Sequence, residues 1–303
     1  MPTAPKSNAF SGPIEGEALS LLQDELLPGF LTGRRWYAAK DAGTPTVLIV
    51  DALPLPLASG SAQLCLLRVE APGREPQLYQ LPLVLNRGGK ADTADPFSIA
   101  GPEALPWPGS LRDGYGDEEV VRALLDGIRK GGENGGLRYG RSRALDAVRD
   151  ALGNGAPLRW TDAEQSNTSV RVGDAAILKG LRKLESGTHP ELEVGRFLTE
   201  VANFRNTPAL LGWVERTGDG EAATLCILQE LVPDARDAWS HVTAALAERV
   251  ERFDEKADDV ALMTFMRRLG RRTAEMHRAL ATPGGGDAFT PEPGTPAMLT
   301  GWA

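Results

Sequence analysis

The chain has 303 residues, which is enough for two or three compact units that each bury a sizeable core. Its residues are 42% hydrophobic and 24% charged, as in ordinary globular proteins. The formal net charge of −8 argues against a nucleic-acid partner, because phosphate backbones require clustered Lys and Arg. The sequence shows neither a secretory signal nor a membrane-spanning segment, so a soluble cytoplasmic protein without a membrane partner is expected. Cys65 and Cys226 lie in apolar runs and are expected to be buried thiols.

Residues 15–135 are predicted to form a first, β-rich domain. It opens with an amphipathic helix over 15–27, which Pro28-Gly29 is expected to stop. Three apolar runs with short Pro/Gly turns follow and favour an antiparallel meander: 46–53, 62–70 and 77–85. A helix over 117–130 comes next, and the glycine-rich segment 131–136 is expected to be a flexible hinge.

Residues 136–235 are predicted to form a second domain, and residues 236–303 the helical start of a third. The predicted elements of the second domain are a helix over 142–152, strands over 158–160, 169–172 and 175–179, a helix over 189–201, and strands over 209–216 and 223–231. Two helices with 3.6-residue periodicity, over 237–253 and 259–280, follow in the third.

The order of elements around Lys179 is typical of the nucleotide-binding lobe of kinases. A hairpin leads into an apolar strand that ends on Lys179, and a helix presents Glu193 fourteen residues later. Phosphoryl transfer from ATP needs a lysine that offsets the triphosphate charge and a carboxylate that holds this lysine in position. The sequence therefore predicts an ion pair between Lys179 and Glu193. The alternative is a strand-end charge and a solvated helical carboxylate.

The polar turn before this hairpin is the candidate cover for the phosphates. The segment 165–169 has no glycine-rich motif. Its residues Ser166, Asn167 and Thr168 offer hydroxyl, amide and backbone N–H groups to phosphate oxygens. Gly88-Gly89-Lys90 is excluded as a phosphate loop, because it lacks the upstream glycine and the Ser or Thr after the lysine.

The end of the last strand is predicted to bind the adenine base. By position, the main-chain carbonyl of Glu230 and the main-chain N–H of Val232 would pair with the base. Asp237 would reach the ribose. Its alternative role is to cap the helix that follows, since Asp is a good N-cap residue.

Together these pieces resemble the bacterial maltokinase family, whose members use ATP to phosphorylate maltose at its anomeric hydroxyl. The resemblance covers about residues 20–300. It rests on these stretches: Arg35-Trp36-Tyr37 with Lys40, 164–169, 177–184, 187–193, 228–230, 237–239 and 269–277.

The resemblance implies an α+β fold, in which a β-rich cap precedes a protein-kinase-like N-lobe similar to that of aminoglycoside and choline kinases. It implies ATP and Mg²⁺ as cofactors and maltose 1-phosphate as the product, in trehalose and α-glucan metabolism. It also implies an association with trehalose synthase, to which such kinases are often fused. The residues expected to bind ATP are Ser166, Asn167, Thr168, Lys179, Glu193, Glu230, Val232 and Asp237.

The sequence departs from the family towards its C-terminus. Family members carry a His-Gly-Asp-x-His catalytic loop and a later Asp-Phe-Glu-like metal motif, and neither occurs in these 303 residues. We therefore expect an incomplete C-lobe, with the catalytic aspartate and the metal ligands beyond residue 303. Such a chain would bind ATP weakly, would not phosphorylate maltose alone, and would expose the apolar positions Leu262, Met266 and Leu269.

Two other functions stay open. A phosphotransferase for another small molecule, such as an aminoglycoside, would share the nucleotide lobe, although Arg35-Trp36-Tyr37 in the cap argues against it. A non-catalytic interaction module, which would bind trehalose synthase without any effect of nucleotide, is the second.

Overall fold

The computed structural model describes residues 8–9, 14–58, 60–86, 95–106, 108–153, 155–161, 166–218, 222–252 and 260–301. The strands are β1 (Asn8–Ala9), β2 (Thr46–Leu57), β3 (Gly60–Glu70), β4 (Gln77–Asn86), β5 (Ser98–Ala100), β6 (Ser110–Asp113), β7 (Gly132–Asn134), β8 (Leu137–Arg141), β9 (Leu158–Thr161), β10 (Asn167–Val172), β11 (Ala176–Leu181), β12 (Lys183–Leu184), β13 (Leu210–Arg216) and β14 (Ala223–Glu230). The α-helices are α1 (Gly16–Ser20), α2 (Leu27–Thr32), α3 (Glu118–Lys130), α4 (Pro190–Arg196), α5 (Ala238–Arg252), α6 (Val260–Leu280) and α7 (Pro296–Gly301). Gly88-Gly89-Lys90 and Gln165 lie outside the described residues.

The first sheet has the order β1-β3-β4-β6-β5, with β2 added on β3 and β12 on β4. Its centre is the antiparallel succession β2-β3-β4, so the predicted meander is confirmed. Seven consecutive residues in the middle of β4 are buried, because apolar groups cover both faces of this strand. One face packs with the N-terminal helices, in a cluster that includes Leu22, Leu27 and Leu67. The other face, with Leu64 and Val84, joins the core of the second sheet.

The second sheet has the order β7-β8-β13-β14-β11-β10-β9 and is antiparallel throughout. The prediction of a flexible hinge over 131–136 is wrong, because this stretch contains β7 and the turn into β8. Gly135 and Gly136 have φ angles of 58° and 78°, which suit a two-residue hairpin turn. Gly135 and Gly136 therefore form the turn that connects two strands of the second sheet, β7 and β8.

Two predicted helices have different bounds in the structure. The helix over 142–152 is replaced by a 3₁₀ segment, Arg143–Ala147, followed by turns. Ser142 caps this segment by accepting a hydrogen bond from the N–H of Ala144 at 3.1 Å.

At the N-terminus, Pro28-Gly29 does not stop the predicted helix. A π-helical segment, Leu21–Leu26, ends where Leu27 donates to the carbonyl of Leu22, and Pro28 then lies in the first turn of α2, where its missing N–H costs little.

Helix α3 agrees with its prediction and packs on the second sheet. Its N-cap residue Asp117 accepts hydrogen bonds from the N–H groups of Glu119 and Val120, and Gly131 ends it with a φ of 71°. Its buried residues are Val120, Val121, Leu124, Leu125 and Ile128. They belong to the same apolar cluster as the second sheet.

The two sheets are joined directly by the chain. After β11 in the second sheet, Lys183 and Leu184 pair with Tyr79 and Leu78 of β4 in the first sheet. Tyr115 follows β6 of the first sheet, and its ring lies against Gly180 of β11 in the second sheet. A Cβ added at Gly180 would be 2.3 Å from a carbon of this ring. The position therefore requires glycine.

The described residues divide into two compact units. The first contains the residues up to Glu193 together with Leu210–Leu231, and the second contains Val194–Ala209 and the residues from Val232 onward. The expected buried thiols are confirmed, since Cys65 and Cys226 are fully buried and unpaired.

The second unit is largely helical. His241 of α5 and Phe265 of α6 make an edge contact with ring centroids 4.7 Å apart. No residue of α6 is buried. Of the three positions expected to be exposed, Met266 and Leu269 are each 43% exposed, whereas Leu262 is half-buried. Within the described part of the chain, no helix has the length and apolarity needed to cross a membrane.

Replacing Gly180 by Ala should destabilise the first unit by about 1–3 kcal/mol, because the new methyl group overlaps the Tyr115 ring and the buried strand has no room to relax. Urea unfolding followed by circular dichroism measures the change. Gly155→Ala is the control, since nothing lies within 4 Å of the added carbon. Equal midpoints for the two variants would show that Tyr115 does not constrain this position.

Candidate functional site

The two faces of the β10–β11 hairpin carry different side chains. Successive residues of a strand point to opposite faces, and residues paired across strands share a face. Ser169 pairs with Lys179, and Thr168 pairs with Gly180. We call the face of Asn167, Ser169, Ile177 and Lys179 the lysine face, and that of Thr168, Val170, Leu178 and Gly180 the cap face. The Tyr115 contact places the first sheet on the cap face.

Lys179 lies inside β11 and is held by an ion pair. Its neighbours in the sheet are Ser169 of β10 and Ile227 of β14. The Nζ atom is 2.6 Å from Oε1 of Glu191, and the two side chains are 20% and 28% exposed. A half-buried pair of this kind keeps the ammonium at the edge of the core, where a ligand on the lysine face can reach it.

Glu191 is positioned by the start of helix α4. Nδ1 of His189 accepts a hydrogen bond from the N–H of Glu191 at 3.2 Å, and the N–H of His189 donates to Oγ1 of Thr224 at 3.0 Å. Pro190 is the first residue of the helix, as its fixed φ favours. The first turn of α4 is therefore tied to β14, and Glu191 is held over β11.

The predicted pair of Lys179 with Glu193 is wrong by two residues. Glu193 is exposed, and within the described structure it forms no ion pair. At 3.6 residues per turn, positions two apart lie on nearly opposite sides of a helix, so only one of these carboxylates can face the sheet. The sequence did not show which one, because this depends on where α4 begins.

The predicted phosphate cover is divided between the two faces. Ser166 is exposed in a bend just before β10, and Asn167 is half-buried on the lysine face. Thr168 lies on the cap face, where its Oγ1 accepts a hydrogen bond from Nε of Arg182 at 2.8 Å. The Thr168 hydroxyl is thus engaged away from Lys179. Its contact with phosphate stays a prediction.

Ser169 is the last residue of the predicted phosphate cover, although it was not among the residues expected to bind ATP. It is 1% exposed, and its Oγ has no hydrogen-bond partner among the described residues. It lies beside Lys179 on the lysine face. A buried hydroxyl without a partner is costly, so it indicates a missing acceptor or donor at this place. Strict alternation from Thr168 was the signal that could have identified it.

The two residues predicted to bind the adenine lie at the end of β14. Glu230 is its last residue, pairs with Ala176, and has an exposed side chain. The next N–H, that of Leu231, donates to the carbonyl of Ala175 at 3.0 Å, so the strand pairing continues one residue further. Val232 follows and is 48% exposed. The positions of Glu230 and Val232 leave their assignment as adenine-binding residues a prediction.

Asp237 takes the alternative role, that of a helix cap. Its Oδ1 accepts a hydrogen bond from the N–H of Ser240 at 2.7 Å, directly before α5. This bond from the backbone of Ser240, with help from the Ser240 hydroxyl, lowers the pKa of the Asp237 carboxyl below its ordinary value. The side chain is exposed, and the cap accounts for its orientation.

Kinase-like sugar phosphotransferases share features with this chain. Residues 30–117 match a family model described as the maltokinase N-terminal cap domain. Glucosamine kinase of Mycolicibacterium smegmatis (strain ATCC 700084 / mc(2)155) is 29% identical over 193 residues, which are 63% of this chain and 44% of that protein.

Solved structures of glucosamine kinase are similar to this chain over nearly all of its length. A complex with glucosamine, ADP and inorganic phosphate has a TM-score of 0.55 at 18% identity, and covers 96% of this chain and 56% of that one. Crystal form A has a TM-score of 0.56 at 18% identity, with coverages of 95% and 56%. The chain therefore shares the kinase-like fold of these proteins and spans about half of their length.

Asp237→Ala should speed amide exchange in the first turn of α5, because the N–H of Ser240 loses its acceptor. Since the pKa of Asp237 is lowered in the folded chain, the carboxylate stabilises the helix above its ordinary pKa, and this contribution is lost as the pH falls through the lowered value. Asp237→Asn should keep the cap and remove this pH dependence. Hydrogen exchange at several pH values checks both, and equal protection in the two variants would contradict a capping role.

Proposed function

We propose that this chain binds ATP on the lysine face of its second sheet, as part of an ATP-dependent kinase that phosphorylates a sugar. The observation that carries the proposal is the 2.6 Å pair of Lys179 with Glu191, directly beside the unpaired, buried hydroxyl of Ser169. A positioned ammonium and a hydroxyl donor on one face suit the oxygens of a triphosphate.

In this proposal, each residue of the lysine face has a separate role. Lys179 offsets the charge of the phosphates, and Glu191 holds the ammonium in one position, so that little reorganisation is needed when the nucleotide binds. The Ser169 hydroxyl and the Asn167 amide donate to phosphate oxygens, with Ser166 at the open end of the strand.

The adenine would lie against the main chain that follows β14. The carbonyl of Glu230 and the N–H of Val232 stay the proposed partners of the base. Asp237 caps α5 and so fixes the segment that follows Val232. Its contact with the ribose stays a prediction.

Mg²⁺ normally accompanies ATP in kinases, and it supplies charge neutralisation at the phosphates when bound. The residues described by the structure do not fit it, because no three His, Cys, Asp or Glu side chains among them lie together as ligands. The work assigned to this chain is binding and orienting the triphosphate.

Two sugars are candidate phosphate acceptors. Maltose, with maltose 1-phosphate as the product, is supported by the match of residues 30–117 to the maltokinase cap model. An amino sugar is the second candidate, supported by the 29% identity to a glucosamine kinase. Isothermal titration of each sugar in turn into the chain, in the presence of a non-hydrolysable ATP analogue, distinguishes the two by their affinities. Trehalose synthase as a partner stays a prediction of the resemblance alone.

Lys179→Met should weaken ATP binding by roughly 10- to 100-fold, since charge-assisted contacts with phosphate are worth about 1.5–3 kcal/mol. Glu191→Gln should weaken it by about three- to tenfold, because the ammonium loses its partner at 2.6 Å. Isothermal titration of the chain with a non-hydrolysable ATP analogue measures both.

Glu193→Gln is the matched control, because it removes the same charge from the same helix at an exposed position. Its affinity should equal that of the unmodified chain. Equal losses in the Glu191 and Glu193 variants would refute the assignment of Glu191. A chain that does not bind ATP would favour the non-catalytic interaction module instead.

A further inference from the structure

The residues that follow Lys179 run into a buried polar cluster. Arg182 has no exposed surface, and its Nη1 and Nη2 donate to the two carboxylate oxygens of Asp113 at 3.2 and 2.5 Å. Asp113 is itself 1% exposed and ends strand β6 of the first sheet. A charge pair that is fully removed from water thus links the segment after β11 to the first sheet.

The rest of the guanidinium is also occupied. Its Cζ lies 4.8 Å from the ring centroid of Trp36 and 4.7 Å from that of Tyr115, so two aromatic rings cover it. Its Nε donates to Oγ1 of Thr168 at 2.8 Å. Together, these residues form the Arg182 cluster: Arg182, Asp113, Trp36, Tyr115 and Thr168.

The first sheet also contacts the backbone on either side of this cluster. Nε2 of Gln80 donates to the carbonyl of Leu181 at 2.5 Å, and the N–H of Gln80 donates to the carbonyl of Arg182 at 2.8 Å. Tyr115 packs on Gly180 and donates its hydroxyl to Oε1 of Gln80 at 3.3 Å. Burial raises the pKa of Tyr115 well above its ordinary value, so this hydroxyl stays protonated. Three consecutive residues after Lys179 are thus held from the cap face.

We propose that Arg182 is a positioning residue, through which Asp113 and Trp36 keep the β10–β11 hairpin in the register that presents Lys179 and Ser169 to the triphosphate. The inference rests on the proposed nucleotide site. A slip of one residue between paired strands moves every side chain to the other face. The contact of Arg182 with Thr168 opposes such a slip, because it ties the segment after β11 to one residue of β10.

The energetics support a positioning role over a purely stabilising one. A buried ion pair costs desolvation that its attraction only partly offsets, and an apolar filling of the same volume would serve stability as well. The pair is, however, directional, since the planar guanidinium fits the carboxylate and two rings in one orientation. Directional contact defines a register in a way that apolar contact does not.

The test uses two variants, Asp113→Asn and the milder Trp36→Leu. Both residues lie in the part of the chain that forms the first sheet, and neither is a proposed nucleotide contact. Asp51→Asn is the matched control. Asp51 of β2 pairs with Arg216 of β13 at 2.7 Å, so this variant breaks another ion pair between the two sheets, two strands away from β11.

Hydrogen exchange gives the first readout and does not depend on nucleotide binding. In Trp36→Leu, amides of β10 and β11 should exchange about tenfold faster, while those of β13 and β14 keep their rates. Asp51→Asn should leave β10 and β11 unchanged. A uniform rise over all strands, or unchanged rates in β10 and β11, would overturn the inference. Trp36→Leu decides the matter if Asp113→Asn does not fold.

Nucleotide affinity gives the second readout. Trp36→Leu should lose about tenfold in affinity for the ATP analogue and keep its affinity for adenosine, because only the triphosphate contacts the hairpin. An unchanged ratio of the two affinities overturns the positioning role, even if the variant is less stable. If the unmodified chain binds neither ligand, the proposed function fails, and the exchange rates alone decide whether Arg182 holds the hairpin.

Discussion

The guanidinium of Arg182 is the constraint around which the first unit is organised. A cation without exposed surface needs partners that offset its desolvation. Here the partners come from separate parts of the chain: Asp113, Thr168 and the rings of Trp36 and Tyr115. These partners can meet only if the two sheets stack with the cap face of β11 inward. The burial of one charge thus specifies how the sheets are arranged.

This arrangement gives the two faces of the second sheet different surroundings. The cap face is filled by Tyr115, by α3 and by side chains of the first sheet. The lysine face carries Lys179 with Glu191 and the buried Ser169 hydroxyl. The division explains why Thr168, which the sequence placed with the phosphate ligands, instead contacts Arg182. Neighbouring residues of one strand serve different purposes because they point in opposite directions.

The comparisons and the site support the same class of function at different levels of detail. The kinase-like fold is shared with glucosamine kinase, and residues 30–117 match the maltokinase cap. The sequence resemblance pointed to maltose, whereas the curated relative acts as a glucosamine kinase.

Local patterns in the sequence determined most of the elements. Alternating and helical periodicity located the meander, α3, and the strands around Lys179, because these patterns arise from one-sided burial. Tertiary structure decided the rest. Glu191, and not Glu193, pairs with Lys179, because the His189 cap sets where α4 begins. The glycine-rich segment 131–136 becomes part of a hairpin, because β13 offers a strand with which β8 pairs. The partners of Arg182 are up to 146 residues away in the chain, and only folding brings them to one buried charge.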